Sequence, residues 1–309
     1  MSIRKKLDDV TCIPANFLTE TPPAPKSLKV ELSAHCNYRC RYCSLTERGT
    51  CTDMDFPLFQ RIIDDAAQAG VRDVGPFLIG EPFCSPDLLT RAILYLRPRI
   101  PYIFLTSNAA LATPSRVAAC FSSGLHSLKW SVNFADEVQF QELTGSRPFL
   151  FHAAVGNIKL AWELRNAVNA STRLYASSIL YNPEQKVRME PLLHSRILPY
   201  VDDHYWLPLY NMSESGANVG QPLPGNPGRI DNPVPPVPCW NIFTSSHVLS
   251  DGRMTACPFD STGKWTMGDL NRQSFMEVWH SSPFRALRRA HLSGDISRTP
   301  CSKCVQSGS

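Results

Sequence analysis

Nowhere in the 309 residues do eighteen apolar side chains follow one another, which excludes a hydrophobic membrane-spanning helix. The first residues, MSIRKKLDDVTC, carry basic groups but neither an apolar segment nor a small-residue cleavage site, so they do not make a secretory signal. An excess of one charge is missing too. The net charge is +4, and lysine and arginine are scattered rather than gathered into a stripe, which leaves no electrostatic footprint for nucleic acid. No internal repeat is present, which argues against a repeat array. These absences, with ordinary apolar content, lead us to expect a soluble, cytoplasmic, globular protein large enough to bury its own core.

Cysteine, by contrast, is plentiful. Eleven thiols are many for a reducing compartment, where cysteine patterns more often mean metal than disulfide. Seven of them form two tight constellations, while Cys12, Cys51, Cys84 and Cys120 stand outside both.

From about residue 27 short apolar runs alternate with longer amphipathic stretches, the pattern of repeated strand–helix units and a parallel sheet. Six strands are expected, at 28–33, 74–79, 103–107, 127–134, 174–181 and 203–209. Segments such as 57–69 and 151–165 space their apolar residues as helices do. Six units are too few for a closed eight-stranded barrel, so the fold class is α/β, either a partial barrel or an open doubly wound sheet. Either places its site at the C-terminal ends of the strands. Residues 213–238 are rich in Pro, Gly and Asn and read as a linker or lid, neither helix nor central strand. Beyond them, 241–249 and 253–256 flank Ser250-Asp251-Gly252 as a hairpin, and 274–292 reads as one helix. The expected organisation is an N-terminal extension at 1–26, a barrel at 27–212, the linker at 213–238 and a small α+β domain at 239–309.

Cys36, Cys40 and Cys43 make a C-x3-C-x2-C run directly after the first strand. Three thiolates on one short loop can hold three irons of a [4Fe-4S] cluster and leave the fourth iron free to chelate a substrate or cofactor. A zinc knuckle is the competing reading. It needs a fourth ligand, and His35, adjoining Cys36, is poorly placed to share one ion with it. Cys239 and Cys257 bracket the hairpin as C-x12-G-x4-C, and Cys301 and Cys304 close the set as C-x2-C. Four thiolates suit zinc and an iron–sulfur cluster alike.

The first run, with Tyr42 before its third cysteine, resembles the cluster loop of the radical S-adenosylmethionine (SAM) superfamily. Gly80-Glu81-Pro82 resembles that family's element for the SAM amino group, and a carboxylate such as Glu81 suits an ammonium. The resemblance further implies SAM contacts from Asn108, in Ser107-Asn108-Ala109 where the family has Thr-Asn-Gly, from Ser131 and Asn133 on one face of the fourth strand, and from Arg147. Glu31, inside an apolar strand, needs a partner and is either a structural anchor or a substrate contact. The second cysteine set resembles the twitch domain, the short version of the SPASM domain, with matching words DGRMTACPFD, MGDL and EVWHSSPFRALR. It implies one auxiliary [4Fe-4S] cluster with four protein ligands. Together the two sets resemble the architecture of the 2-deoxy-scyllo-inosamine dehydrogenases.

The family implies reductive SAM cleavage to a 5′-deoxyadenosyl radical, hydrogen abstraction from a C–H bond, and electrons from a flavodoxin or ferredoxin partner. Redox dehydrogenation of a polar small molecule such as an amino sugar or cyclitol is the expected outcome, with the auxiliary cluster accepting an electron. It needs a base, and Asp202, Asp203, His204 and Tyr205 are expected at the barrel mouth. An epimerase would instead need a cysteine hydrogen donor, with Cys84 just beyond Glu81 as first candidate and Cys51 and Cys120 behind it. A maturase of ribosomal peptides is the third reading, and the 27 residues before the first strand are expected to be too few for a separate peptide-recognition domain. The non-enzyme alternative is a zinc-stabilised interaction module.

Overall fold

A computed structural model describes residues 2–211 and 214–306. The barrel boundary expected at 212/213 and the last three residues of the expected C-terminal domain lie outside them.

The elements run α1 (Ile3–Thr11), β1 (Ser27–Val30), α2 (Phe56–Ala69), β2 (Asp73–Gly75), α3 (Pro86–Leu96), β3 (Tyr102–Ser107), α4 (Pro114–Ser123) and β4 (Ser127–Ser131). Next come α5 (Glu137–Thr144), α6 (Pro148–Ala167), β5 (Arg173–Leu180), α7 (Gln185–Leu192) and β6 (Asp203–Pro208). The C-terminal part adds β7 (Gly228–Arg229), β8 (Asn232–Pro233), α8 (Asn241–Thr244), β9 (Ser245–Val248), β10 (Arg253–Thr255), β11 (Thr266–Asp269), α9 (Phe275–Trp279), α10 (Ser282–Ser293) and α11 (Ser302–Gln306). Local signals set the ends of many of these. Asp55 accepts from Leu58 N at the start of α2, Pro57 follows it, and Gly70 ends the helix in the left-handed region at φ 96°.

All six strands expected from the sequence are present. They pair in parallel in the order β1-β2-β3-β4-β5-β6, a partial (β/α)6 barrel. Strand alternation divides their side chains. Leu28, Val30, Val74, Ile103, Leu105, Leu128, Trp130, Leu174 and Ala176 face the helices and join one continuous core, and the alternate residues face the lumen.

Two features were not legible beforehand. The hairpin β9-β10 does not stand apart from the barrel, because β9 pairs in parallel with β1, so that among the described residues nine strands form one sheet. The N-terminal segment folds back as α1 beneath the strands, where Ile3 packs on Tyr175 and Tyr205 while Arg4 and Lys6 pair with Asp203 and Asp73 at strand N-termini. The floor of the barrel is thereby sealed.

Two details depart from expectation. Residues 241–244 are helical rather than strand, with Arg288 donating to the Ile242 carbonyl. The single helix expected over 274–292 is two, because Ser281 caps a new helix just before Pro283 and its hydroxyl donates to the Met267 carbonyl.

Candidate functional site

The C-terminal ends of the strands carry the first cysteine loop. Cys36, Cys40 and Cys43 are half-buried, and neighbouring backbone holds the loop in place: Arg39 N and Arg41 N donate to the carbonyls of Thr144 and Leu143, 2.8 Å each. Tyr38 packs edge-on against Phe140 at 5.3 Å. Burial pushes the Cys40 thiol up to about 12 and that of Cys36 well above its usual range, so thiolates here need a compensating positive charge such as bound iron. Beside the loop, Asn37 Nδ2 is buried without a hydrogen-bond partner.

Gly80 lies against this loop. A Cβ there would stand 2.0 Å from the Ser33 carbonyl oxygen, so no side chain fits, and Glu81 N can donate to His35 O at 2.8 Å. Glu81 is almost fully buried. It accepts from Phe83 N at 3.1 Å, Ser107 Oγ at 2.8 Å and Asn108 N at 2.7 Å. Burial raises its carboxyl to about 7 against the pull of those three bonds. Of roughly four lone-pair directions on a carboxylate, three are taken within the protein, which leaves one on Oε2 for a further donor.

Asn108 bridges Glu81 and the cysteine loop, donating from Nδ2 to Asn37 Oδ1 at 2.8 Å. Ala109, standing where the resemblance has glycine, takes the left-handed backbone with φ 69°. Tyr42 and Asn133 meet: Asn133 Nδ2 donates to the Tyr42 hydroxyl at 3.0 Å while its Oδ1 accepts from Ile179 N at 3.2 Å. Ser131 ends β4 beside Ser177 on the lumen face. Arg147 is exposed at the start of α6. Cys84 sits beside Glu81 and the loop residue Asn37, which places it within the site; burial raises its thiol to about 11.

Several expectations need correction. Asp203 is the first residue of β6, at the sealed floor rather than the mouth, and is engaged by Arg4 at 3.2 Å. His204 follows it on the opposite face of the strand, aligned with Ala176, and shares a hydrogen bond with Ser178 Oγ at 2.9 Å. Alternation therefore turns it out of the lumen. Asp202 is paired with Arg165 at 2.7 Å. Cys120 is buried within α4 against the core and Cys51 is exposed on a loop, so neither reaches the site.

The sequence left the role of Glu31 open. Fully buried, it accepts from Arg48 Nη1 at 2.7 Å, Gly80 N at 3.3 Å, Ile79 N at 3.4 Å and Ser250 N at 3.2 Å. One carboxylate thus gathers the Gly80 loop, the turn after the cysteine loop and the hairpin of the C-terminal part. Ser44 and Ser261 reinforce that junction, their hydroxyls donating to the carbonyls of Phe259 and Ser44.

The second set converges as well. Cys239, Cys257, Cys301 and Cys304 line one recess between α8, α10 and α11. His291 lines it too. Its Nδ1 accepts from Cys239 N at 3.2 Å, which fixes the proton on Nε2, and that buried Nε2 has no partner. An orphaned donor among four thiols fits a group rich in sulfur acceptors. Among the described residues no group of three or more His, Cys, Asp or Glu closes tightly enough for a single metal ion.

Comparison with known proteins agrees with this geometry. Residues 30–171 match the family model described as the radical SAM superfamily, and residues 239–305 match SPASM, described as an iron-sulfur cluster-binding domain. PqqA peptide cyclase of Ruegeria pomeroyi is 35% identical over 120 residues, 36% of this chain and 30% of that protein. GTP 3′,8-cyclase of Synechococcus elongatus is 31% identical over 146 residues, 45% of this chain and 42% of that protein. The chain thus matches under half the length of these curated relatives. Two solved structures share the fold. SuiB of Streptococcus suis bound to the precursor peptide SuiA has a TM-score of 0.67 at 15% identity, covering 91% of this chain and 68% of that one. BtrN in complex with AdoMet and 2-DOIA has a TM-score of 0.58 at 15% identity, covering 91% and 92%. With the partial barrel, the cysteine loop at its mouth and the four-thiol recess, the chain thus carries a radical SAM domain and a C-terminal SPASM domain, domains that use SAM and iron–sulfur clusters.

Proposed function

We propose that this radical SAM enzyme dehydrogenates a polar substrate held in the barrel lumen. The observation that supports it is the division of seven thiols into a set of three beside Glu81 and a set of four lining one recess. Cys36, Cys40 and Cys43 would hold a cluster with one iron free for SAM, and Cys239, Cys257, Cys301 and Cys304 a second cluster with every iron ligated by protein. When bound, these groups supply a 5′-deoxyadenosyl radical for hydrogen abstraction and an acceptor for the electron released as an alcohol carbon becomes a ketone.

The chain's own residues do the rest. Glu81 offers its remaining lone pair to the SAM ammonium, and Asn108 ties that carboxylate to the cysteine loop. The Tyr42–Asn133 bond fixes the aromatic ring beside Cys40 and Cys43. The sealed floor and the C-terminal part pinned by Glu31 keep water from the lumen. An electron donor of flavodoxin or ferredoxin type would dock near the half-exposed Cys36 loop.

A second reading, maturation of a ribosomal peptide, draws support from the relatives named PqqA peptide cyclase and from SuiB with its precursor peptide. Anaerobic reconstitution with iron and sulfide, then reduction with SAM present, tests the shared core. About eight irons per chain and release of 5′-deoxyadenosine are expected. Assay with polyols and with peptides then separates the two readings by which one loses two hydrogens. No 5′-deoxyadenosine from chain holding both clusters, with or without these compounds, would refute both.

A further inference from the structure

The barrel lumen contains two lysines that the fold does not neutralise. Leu28, Val30, Leu128 and Trp130 lie under the helices, so alternation turns Lys29 on β1 and Lys129 on β4 inward. Their ladder neighbours share that face: Gly75 and His247 flank Lys29, and Thr106 and Tyr175 flank Lys129. Among the described residues neither ammonium has a hydrogen-bonding or ion-pairing side chain. Burial lowers both to about 8, and Lys29 further disfavours the charge on Lys129, which puts the two within electrostatic reach of each other.

Protein anions do not answer them. At the floor, Asp73 and Asp203 are held by Lys6 and Arg4, cations that α1 brings with it. The other lumen groups nearby, Tyr102, Tyr175 and Tyr205, are neutral, burial holding each phenol above its usual range. Of the acidic groups, Cys257 acts on Lys29, its charge opposing the effect of burial. His247 is fully buried, shares a hydrogen bond with Ser245 through Nε2 and keeps Nδ1 without a partner. Two cations and an unpartnered imidazole nitrogen facing one lumen are costly unless a ligand supplies the missing charge.

We propose that Lys29, Lys129 and His247 form an anion site that holds a carboxylate or phosphate of the substrate in the lumen. The site selects acid-bearing molecules and repels a plain amino sugar, whose ammonium would add a third cation. Two lysines on strands separated by β2 and β3 fix the acid group at the strands while the rest of the molecule extends toward the loop of Cys36, Cys40 and Cys43. That the anion belongs to a substrate rests on the radical SAM reading; that the lysines bind an anion does not.

Calorimetry on the reconstituted chain with inorganic phosphate, N-acetylglutamate and its neutral diamide, N-acetylglutaminamide, tests the site. At least one anion should bind saturably and the amide should not, with phosphate and carboxylate distinguishing the two acid types. Lys29→Gln and Lys129→Gln should each weaken that binding about tenfold or more, and Lys129→Arg should restore most of it. Absence of anion binding by the unaltered chain, or binding by both Gln variants as tight as that of the unaltered chain, overturns the proposal. Unchanged anion binding in Lys29→Gln together with loss of iron from the second thiol set would assign Lys29 to those thiolates and overturn it as well. Anion binding by a chain that forms no 5′-deoxyadenosine would fail the proposed function and leave this site standing.

Discussion

Arg48 Nη1 lies 2.7 Å from Glu31 Oε2, and the pair is withdrawn from solvent at the seam between the barrel and its C-terminal hairpin. Arg48 also donates to the Ser261 carbonyl, so one guanidinium spans both sides of the seam. Removing one member leaves the other charge buried. Arg48→Met should lower the unfolding free energy by about 3–5 kcal/mol, read as a lower denaturant midpoint, and adding Glu31→Gln should recover part of it. Equal midpoints for Arg48→Met and the unaltered chain would show the pair to be dispensable.

Joint replacement of Cys36, Cys40 and Cys43 by Ala should abolish SAM cleavage while about four irons stay bound. Iron analysis beside the 5′-deoxyadenosine assay checks both halves, and surviving cleavage would contradict the assignment of the first loop.

Cys301→Ala should do the reverse, leaving SAM cleavage largely intact while impairing substrate oxidation. The diagnostic result is 5′-deoxyadenosine formed without matching product; full product yield would remove the second thiol set from the reaction.

Glu81 should make SAM binding pH-dependent. Its carboxyl titrates near 7 in the fold, so the anion that meets the SAM ammonium is lost below that point, and affinity should fall by up to about tenfold per pH unit. Stability of the SAM-free chain follows the opposite sign. The ordinary value is 4.5, so Glu81's contribution is complete below it and is lost as pH rises toward about 7. Glu81→Gln should flatten both profiles in SAM titrations and thermal melts; profiles identical to those of the unaltered chain would assign the dependence elsewhere.

Cys84 separates dehydrogenation from epimerisation. Under dehydrogenation Cys84→Ala should keep product formation, and no deuterium should pass from solvent into product; deuterium at the abstracted position, lost in the variant, would establish the epimerase.

Much of this was legible because the informative signals are local. Periodicity sets six strands, and cysteine spacing needs no tertiary knowledge. Asp203 and His204 were misplaced although a parallel pattern already puts the start of the strand expected at 203–209 opposite the mouth; what only the fold supplies is the register with β5, which turns His204 away from the lumen. Glu31 could be flagged as needing a partner, but Arg48 and the amides of Gly80 and Ser250 reach it only through folding. Lys29 and Lys129 carry no motif, and their weight comes from β1 and β4 turning them to the same face of the sheet.

The pairing of β9 with β1 bears on timing as well as architecture. Ladder hydrogen bonds between Ser27–Val30 and Ser245–Val248 join the strand that leads into the first cysteine loop to the hairpin that leads into Cys257. A hinge between the two thiol sets would have to tear a strand from the middle of a nine-stranded sheet. Their separation is therefore a constant of the folded chain, and gating falls to the loops above the strands.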